Sequence, residues 1–239
     1  MPTKTMSEKR WLDGLEPEPM LDFLDGRITD RKLRLLVCAA CRFVWNKLVD
    51  ARSKSAVVVA ELFADDDASN DELEHAFKEA CNAFGDLGMA GGDISSAAAA
   101  VHNACWYGDD FLVTAKRSLA CAAHVAVYQA ARDVDSGRMS HAPNWETLVQ
   151  KREKGKMARL VREIFGNPFK SVSVETFLTP AVIGLARTIY EERAFQRLPE
   201  IAALLEANGF NGKMFIEHCR DPRPHYRGCW AVDLVLGKS

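Results

Sequence analysis

The chain has 239 residues, 48% of them hydrophobic and 27% charged, with a formal net charge of −2. That balance fits a globular chain able to bury a core without staples, and not a disordered or membrane chain. The near-neutral charge supplies no global basic field of the kind that draws nucleic acid.

The opening stretch, Met1 to Gly14, lacks the apolar run and small-residue cleavage site of a secretory signal. No apolar run approaches the roughly 20 residues that cross a bilayer, so no membrane association is expected. Seven cysteines, an odd number in a chain read as unexported, imply reduced thiols and a cytoplasmic protein.

Helical spacing then dominates. From Thr29, a plausible N-cap, Leu33, Leu36, Val37, Ala40, Cys41, Val44 and Leu48 recur at three- and four-residue steps. Leu35, Cys38 and Trp45 add a second stripe, which predicts a central helix buried on two sides. Ser53–Phe63 reads as another apolar helix and Asn70–Phe84 as an acidic, exposed one. Four glycines in Gly85–Gly92 mark the clearest internal break, a possible sub-division of an otherwise single domain spanning 1–239. Two Ala-rich helices follow, Ile94–Tyr107 and Phe111–Val134, and then a polar connection, Asp135–Pro143. Trp145–Phe165 reads as a basic amphipathic helix ended by Gly166-Asn167-Pro168. Thr179-Pro180 is an N-cap and first helical residue, and Pro199 opens a helix stopped by Gly209. Gly212–His218 is a short helix, and Cys229–Leu236 is too short for its period to separate helix from strand. The fold class expected is all-α, a single irregular bundle of roughly 8–11 helices.

Two stretches carry a resemblance. One runs from Pro19-Met20-Leu21 through Arg31–Leu35 into Cys38-Ala39-Ala40-Cys41-Arg42 and Trp45. The other runs from Ile164–Phe169 through Ile189-Tyr190, Glu192–Phe195 and Arg197-Leu198-Pro199. It closes on His218-Cys219-Arg220, His225, Arg227–Trp230, Asp233-Leu234 and Leu236-Gly237-Lys238. Together they resemble a family of uncharacterised all-helical bacterial proteins, found mainly in planctomycetes. The resemblance implies an accessory module and brings no reaction with it.

Two kinds of chemistry stay open. Cys38, Cys41, His218, Cys219, His225 and Cys229 are the residue types zinc prefers, and four of the six could close a tetrahedral site. Against zinc, Cys38 and Cys41 sit mid-helix rather than on a tight turn, and three arginines crowd the C-terminal candidates. Redox use of Cys38 lacks the helix N-terminus that lowers a thiol pKa. The alternative is an anion site, in which Arg220, Arg223, His225 and Arg227 on a proline-stiffened loop bind phosphate or carboxylate. The plain reading is that nearby carboxylates neutralise these arginines.

A basic run, Lys151–Lys156 with Arg159 and Arg162, could touch nucleic acid but fits a solvated helix face better. The acidic Glu61–Asp93 stretch makes self-association conceivable. Gly237-Lys238-Ser239 and Gly88–Gly92 lack the context of a phosphate loop, and no nucleophile elbow or His-Glu-x-x-His occurs. The expectation is a non-enzymatic module working through a protein partner, with an anion- or phosphate-binding protein as the runner-up. At the C-terminal loop the arginines favour an anion over zinc.

Overall fold

The structure is a computed structural model that describes residues 5–87, 92–106, 110–136 and 144–238. These residues form twelve α-helices and no strand. The all-α expectation holds, and two short N-terminal helices that periodicity could not resolve carry the count just past the expected range. They are α1 (Glu8–Asp13), N-capped by the Ser7 hydroxyl, and α2 (Pro17–Leu24), opened by proline at its first position. No described helix is long and apolar enough to cross a membrane.

The chain divides into two compact units, Met1–Val161 and Arg162–Ser239. The first is organised on α3 (Asp30–Phe43), which packs against α4 (Ala51–Ala64), α6 (Gly92–Ala104) and α7 (Phe111–Asp135). Thr29 caps α3 as expected, its hydroxyl accepting from the Lys32 amide at 3.3 Å. Leu33 to Cys41 are all buried, but α3 ends at Phe43: Val44, Trp45 and Leu48, expected in the same helix, lie in and beside the 3-10 turn Trp45–Lys47, and Trp45 is only half-buried. Alanines line the facing helices, among them Ala56, Ala60, Ala97, Ala100, Ala104, Ala115 and Ala122. Arg34, inside this core, donates to the carbonyls of Ala104 at 2.8 Å and Trp106 at 3.1 Å. Its guanidinium lies over the rings of Phe63 and Phe111, so it caps the end of α6 and keeps its charge among π faces.

The acidic helix α5 (Asn70–Leu87) packs on α4 and α6. The glycine-rich stretch therefore joins two helices of one unit, with residues 88–91 outside the described set. Gly108, Asp109 and most of the polar connection, 137–143, lie outside it too. Helix α8 (Trp145–Phe165) takes the expected bounds, and its last four residues belong to the second unit. Its basic face is partly paired: Lys154 meets Glu16 at 2.9 Å, and Lys156 meets Glu153 at 2.7 Å.

The second unit continues with α9 (Pro180–Glu192), α10 (Leu198–Ala207), α11 (Lys213–Cys219) and α12 (Trp230–Leu236). Thr179 and Pro180 begin α9 as expected, and the Thr179 hydroxyl accepts from the Val182 amide. The last apolar segment is helical. Its core is bulkier than that of the first unit: Val182, Ile189, Leu198, Ile201, Leu205, Phe215 and Val232 are all fully buried. Rings run through it in edge contacts, Phe177 on Phe210 at 5.3 Å, Phe210 on Phe215 at 5.6 Å and Phe215 on Trp230 at 5.6 Å. Trp230 in turn meets the His218 imidazole at 4.9 Å.

Candidate metal centre

Three pieces of the second unit converge where that run of rings ends. The last turn of α8 supplies Glu163, the last turn of α11 supplies His218, and the loop into α12 supplies His225 and Cys229. One donor atom from each lies within 4.8 Å of all the others. Nε2 of His218 is 3.1 Å from the Cys229 sulfur and 3.6 Å from Oε2 of Glu163. Nδ1 of His225 is 3.1 Å from both Glu163 oxygens. A zinc tetrahedron with bonds of about 2.0 Å to nitrogen or oxygen and 2.3 Å to sulfur has edges of about 3.3–3.5 Å. The three shortest spacings bracket that range and all lie within 4.8 Å, so the four donors could close on such an ion by moving about 1 Å.

Local chemistry fixes each donor. Gly166 ends α8 at φ 65°, and a Cβ there would meet the Trp230 ring at 3.1 Å. This glycine thus lets the end of α8, and Glu163 with it, lie against the start of α12. Gly228 at φ 90° turns the chain into Cys229, the N-cap of α12. The His218 and His225 rings pack edge to face, 4.9 Å between centroids.

Electrostatics favour a cation at the centre. Nε2 of His225 faces the Asp221 carbonyl at 3.2 Å, so that nitrogen carries a hydrogen. Nδ1 of the same ring faces two carboxylate oxygens, which also only accept. The ring therefore needs a second proton on Nδ1, or a metal ion sharing Nδ1 with Glu163. Burial disfavours the imidazolium, but the Glu163 hydrogen bond and charge outweigh it and raise the His225 pKa. His218 goes the other way: burial lowers its pKa to about 4, leaving the neutral imidazole that binds metals. Burial, then the Glu163 charge, pushes the Cys229 thiol well up, while amides at the start of α12 pull the other way. Thiolate and carboxylate together would neutralise a divalent ion in this largely dry setting, where Cys229 is fully buried and His225 nearly so.

Of the six expected ligands, the structure brings together His218, His225 and Cys229. Cys219 is buried in the apolar core of the same unit, where burial raises its pKa. Cys38 and Cys41 are buried in α3 of the first unit, and no described cluster of metal-ligating groups includes them. Burial likewise raises both of their pKa values, and Cys38 sits 4.0 Å from the Val57 carbonyl. They fill core space, as free buried cysteines do.

The expected anion residues each engage a different partner. Arg220 pairs with Glu206. Arg223 is held by both oxygens of Asp221, at 2.7 and 2.8 Å from Nε, and this pairing lowers the Asp221 pKa to about 2. Arg227 is buried with its guanidinium 4.7 Å from the centre of the Tyr190 ring. Two of the three charges that argued against a cation are thus balanced locally.

Glu163 is the member that spacing did not reveal. Its partners come 55 or more residues later in the chain. Its only sequence signal is its register: three residues after Leu160 and six after Met157, it borders the apolar stripe of α8, four residues after Arg159.

Compared with family models, curated proteins and solved structures, the chain gives no match.

Proposed function

We propose that the C-terminal unit is a metal-binding module in which Glu163, His218, His225 and Cys229 hold one zinc-class ion. The observation that carries this reading is the convergence of four donor atoms from three separate elements, with Nδ1 of His225 aimed at acceptors alone. Two imidazoles, a thiolate and a carboxylate suit a borderline-soft ion such as Zn(II) or Co(II) and suit Mg(II) or Ca(II) poorly. Four protein donors leave no open coordination position, which favours a structural role over a catalytic one. In this reading the ion fastens the end of α8 to the α11–α12 segment. The Asp221 carbonyl orients His225 through Nε2, as outer partners of metal-bound histidines do.

Cobalt substitution tests the proposal. The full chain, purified and stripped with chelator, should take up one Co(II) per chain. It should then develop visible bands of tetrahedral intensity and a near-ultraviolet thiolate-to-metal band. Cys229→Ser should remove the thiolate band, and Glu163→Gln should weaken uptake at least 10–100-fold, the loss seen even for outer partners. If Co(II) and Zn(II) are not taken up at all, the reading is wrong, and Glu163–His225 is a buried ion pair that only fastens α8 to the loop before α12.

A further inference from the structure

A groove in the first unit carries an independent proposal. Helix α7 shows solvent a stripe of Arg117, Ala120, His124 and Tyr128, spaced three to four residues apart. Beside it α6 presents Ala99 and His102, and α5 contributes Phe84, which is 39% exposed. All of these but Tyr128 line a groove of about 350 Å³, within the usual range of small-molecule sites. Alanines make the floor, which is why space exists there. The walls are the rings of Phe84, His102 and His124 and the guanidinium of Arg117. His102 is held in place by Phe77 at 4.9 Å and Trp106 at 6.3 Å. No lining residue is acidic, and no carboxylate pairs with Arg117 among the described residues.

We propose that this groove binds a small, flat aromatic carboxylate. The apolar walls take the ring face, and Arg117, exposed at one end, takes the carboxylate with its planar fork. His124 stands two turns further along α7, about 10 Å away along the axis, and closes the other end. A two-ring ligand spans that distance. A second cavity, lined by Lys116, Leu119, Gln150 and Met157, measures about 70 Å³ and is too small for such a molecule.

The test uses 2-naphthoate and its uncharged counterpart 2-naphthamide, titrated into the full chain and followed by equilibrium dialysis. The acid should bind about tenfold more tightly than the amide, the value of one charged hydrogen-bonded contact. Arg117→Gln should lower the affinity for the acid about tenfold and leave that for the amide unchanged. Ala120→Phe should fill the groove and abolish binding of both. Both positions are exposed, so far-ultraviolet circular dichroism should match the parent for each variant. Equal affinity for acid and amide, indifference to Arg117→Gln, or no binding of either probe at millimolar concentration would overturn the proposal.

Discussion

The two units solve the same problem of helix packing with opposite materials. In the first, alanine is the commonest buried residue of α3, α4, α6 and α7. In the second, large aliphatic and aromatic side chains surround a polar cluster of Glu163, His218, His225 and Cys229. The second unit, Arg162–Ser239, also has a size at which one apolar core leaves little margin, roughly below 80 residues, and natural domains add a staple. A charged, buried cluster is costly unless something neutralises it. The contrast teaches that the two units differ in where polar groups are buried: the short unit gathers its own at one cluster beside a bulky apolar core.

The largest expected effect breaks the comparison at the cluster. Structural zinc contributes binding free energy on the order of 10 kcal/mol that is also folding free energy. Removing the ion by chelation should therefore deprotect backbone amides across 162–238 and leave those of α3, α4 and α7 protected. Hydrogen exchange read by mass spectrometry, with and without chelator, separates the two. Equal loss in both units, or loss in neither, would mean that the second unit stands on its apolar core alone.

Core substitutions come next and should run in opposite senses. Phe215 is fully buried at the middle of the ring contacts, so Phe215→Ala should cost about 3–5 kcal/mol in urea unfolding. Ala60 is fully buried among small residues, and there enlargement is the damaging change. Ala60→Leu should cost about 1–3 kcal/mol through overpacking. A neutral Ala60→Leu would show that the first unit is more loosely packed than its burial implies.

How much of this was legible beforehand follows from the same contrast. Local signals suffice for Thr29 and Thr179 as N-caps, Pro180 at a helix start, and the bounds of α8. Each depends on hydrogen bonds or apolar spacing within a few residues. The α12 segment was ambiguous because seven residues are too few to define a period. The cluster was half legible. His218, His225 and Cys229 could be suspected from type and proximity, but Glu163 meets them only through the fold of the second unit. Weighing arginines by their nearness in sequence favoured an anion, because the carboxylates that balance Arg220 and Arg223 count only once their geometry is known.

A smaller effect sharpens the view of how Glu163 is placed. Gly166 and Gly209 both adopt positive φ, at 65° and 90°, so alanine at either should cost about 1–2 kcal/mol for the left-handed backbone. Only at Gly166 would the new Cβ also press on a ring, Trp230, whereas Gly209 has open space around it. Gly166→Ala should therefore be the more damaging in thermal unfolding and should also weaken Co(II) uptake, while Gly209→Ala should leave uptake unchanged. Equal effects would remove the close approach of α8 and Trp230 from the account of the site.

The smallest expected effect concerns the arginine loop. The Arg220 side chain is 51% exposed and its partner Glu206 is 36% exposed, so solvent screens their attraction. Surface pairs of this kind contribute about 0–1 kcal/mol, and Arg220→Ala should shift the unfolding free energy by no more than that. An anion site makes a different demand. Three guanidinium groups gathered for a phosphate repel one another until the ligand arrives, so inorganic phosphate should raise the melting temperature, and Arg220→Ala should erase the rise. Here Arg220 and Arg223 are each already committed to a carboxylate, and a phosphate would have to displace both partners to gain what they supply. Phosphate should therefore give no stabilisation beyond that of sodium chloride at equal ionic strength, in the parent and in Arg220→Ala alike. A rise specific to phosphate and lost in the variant would restore the anion reading and make the loop, rather than the Glu163 cluster, the functional end of this unit.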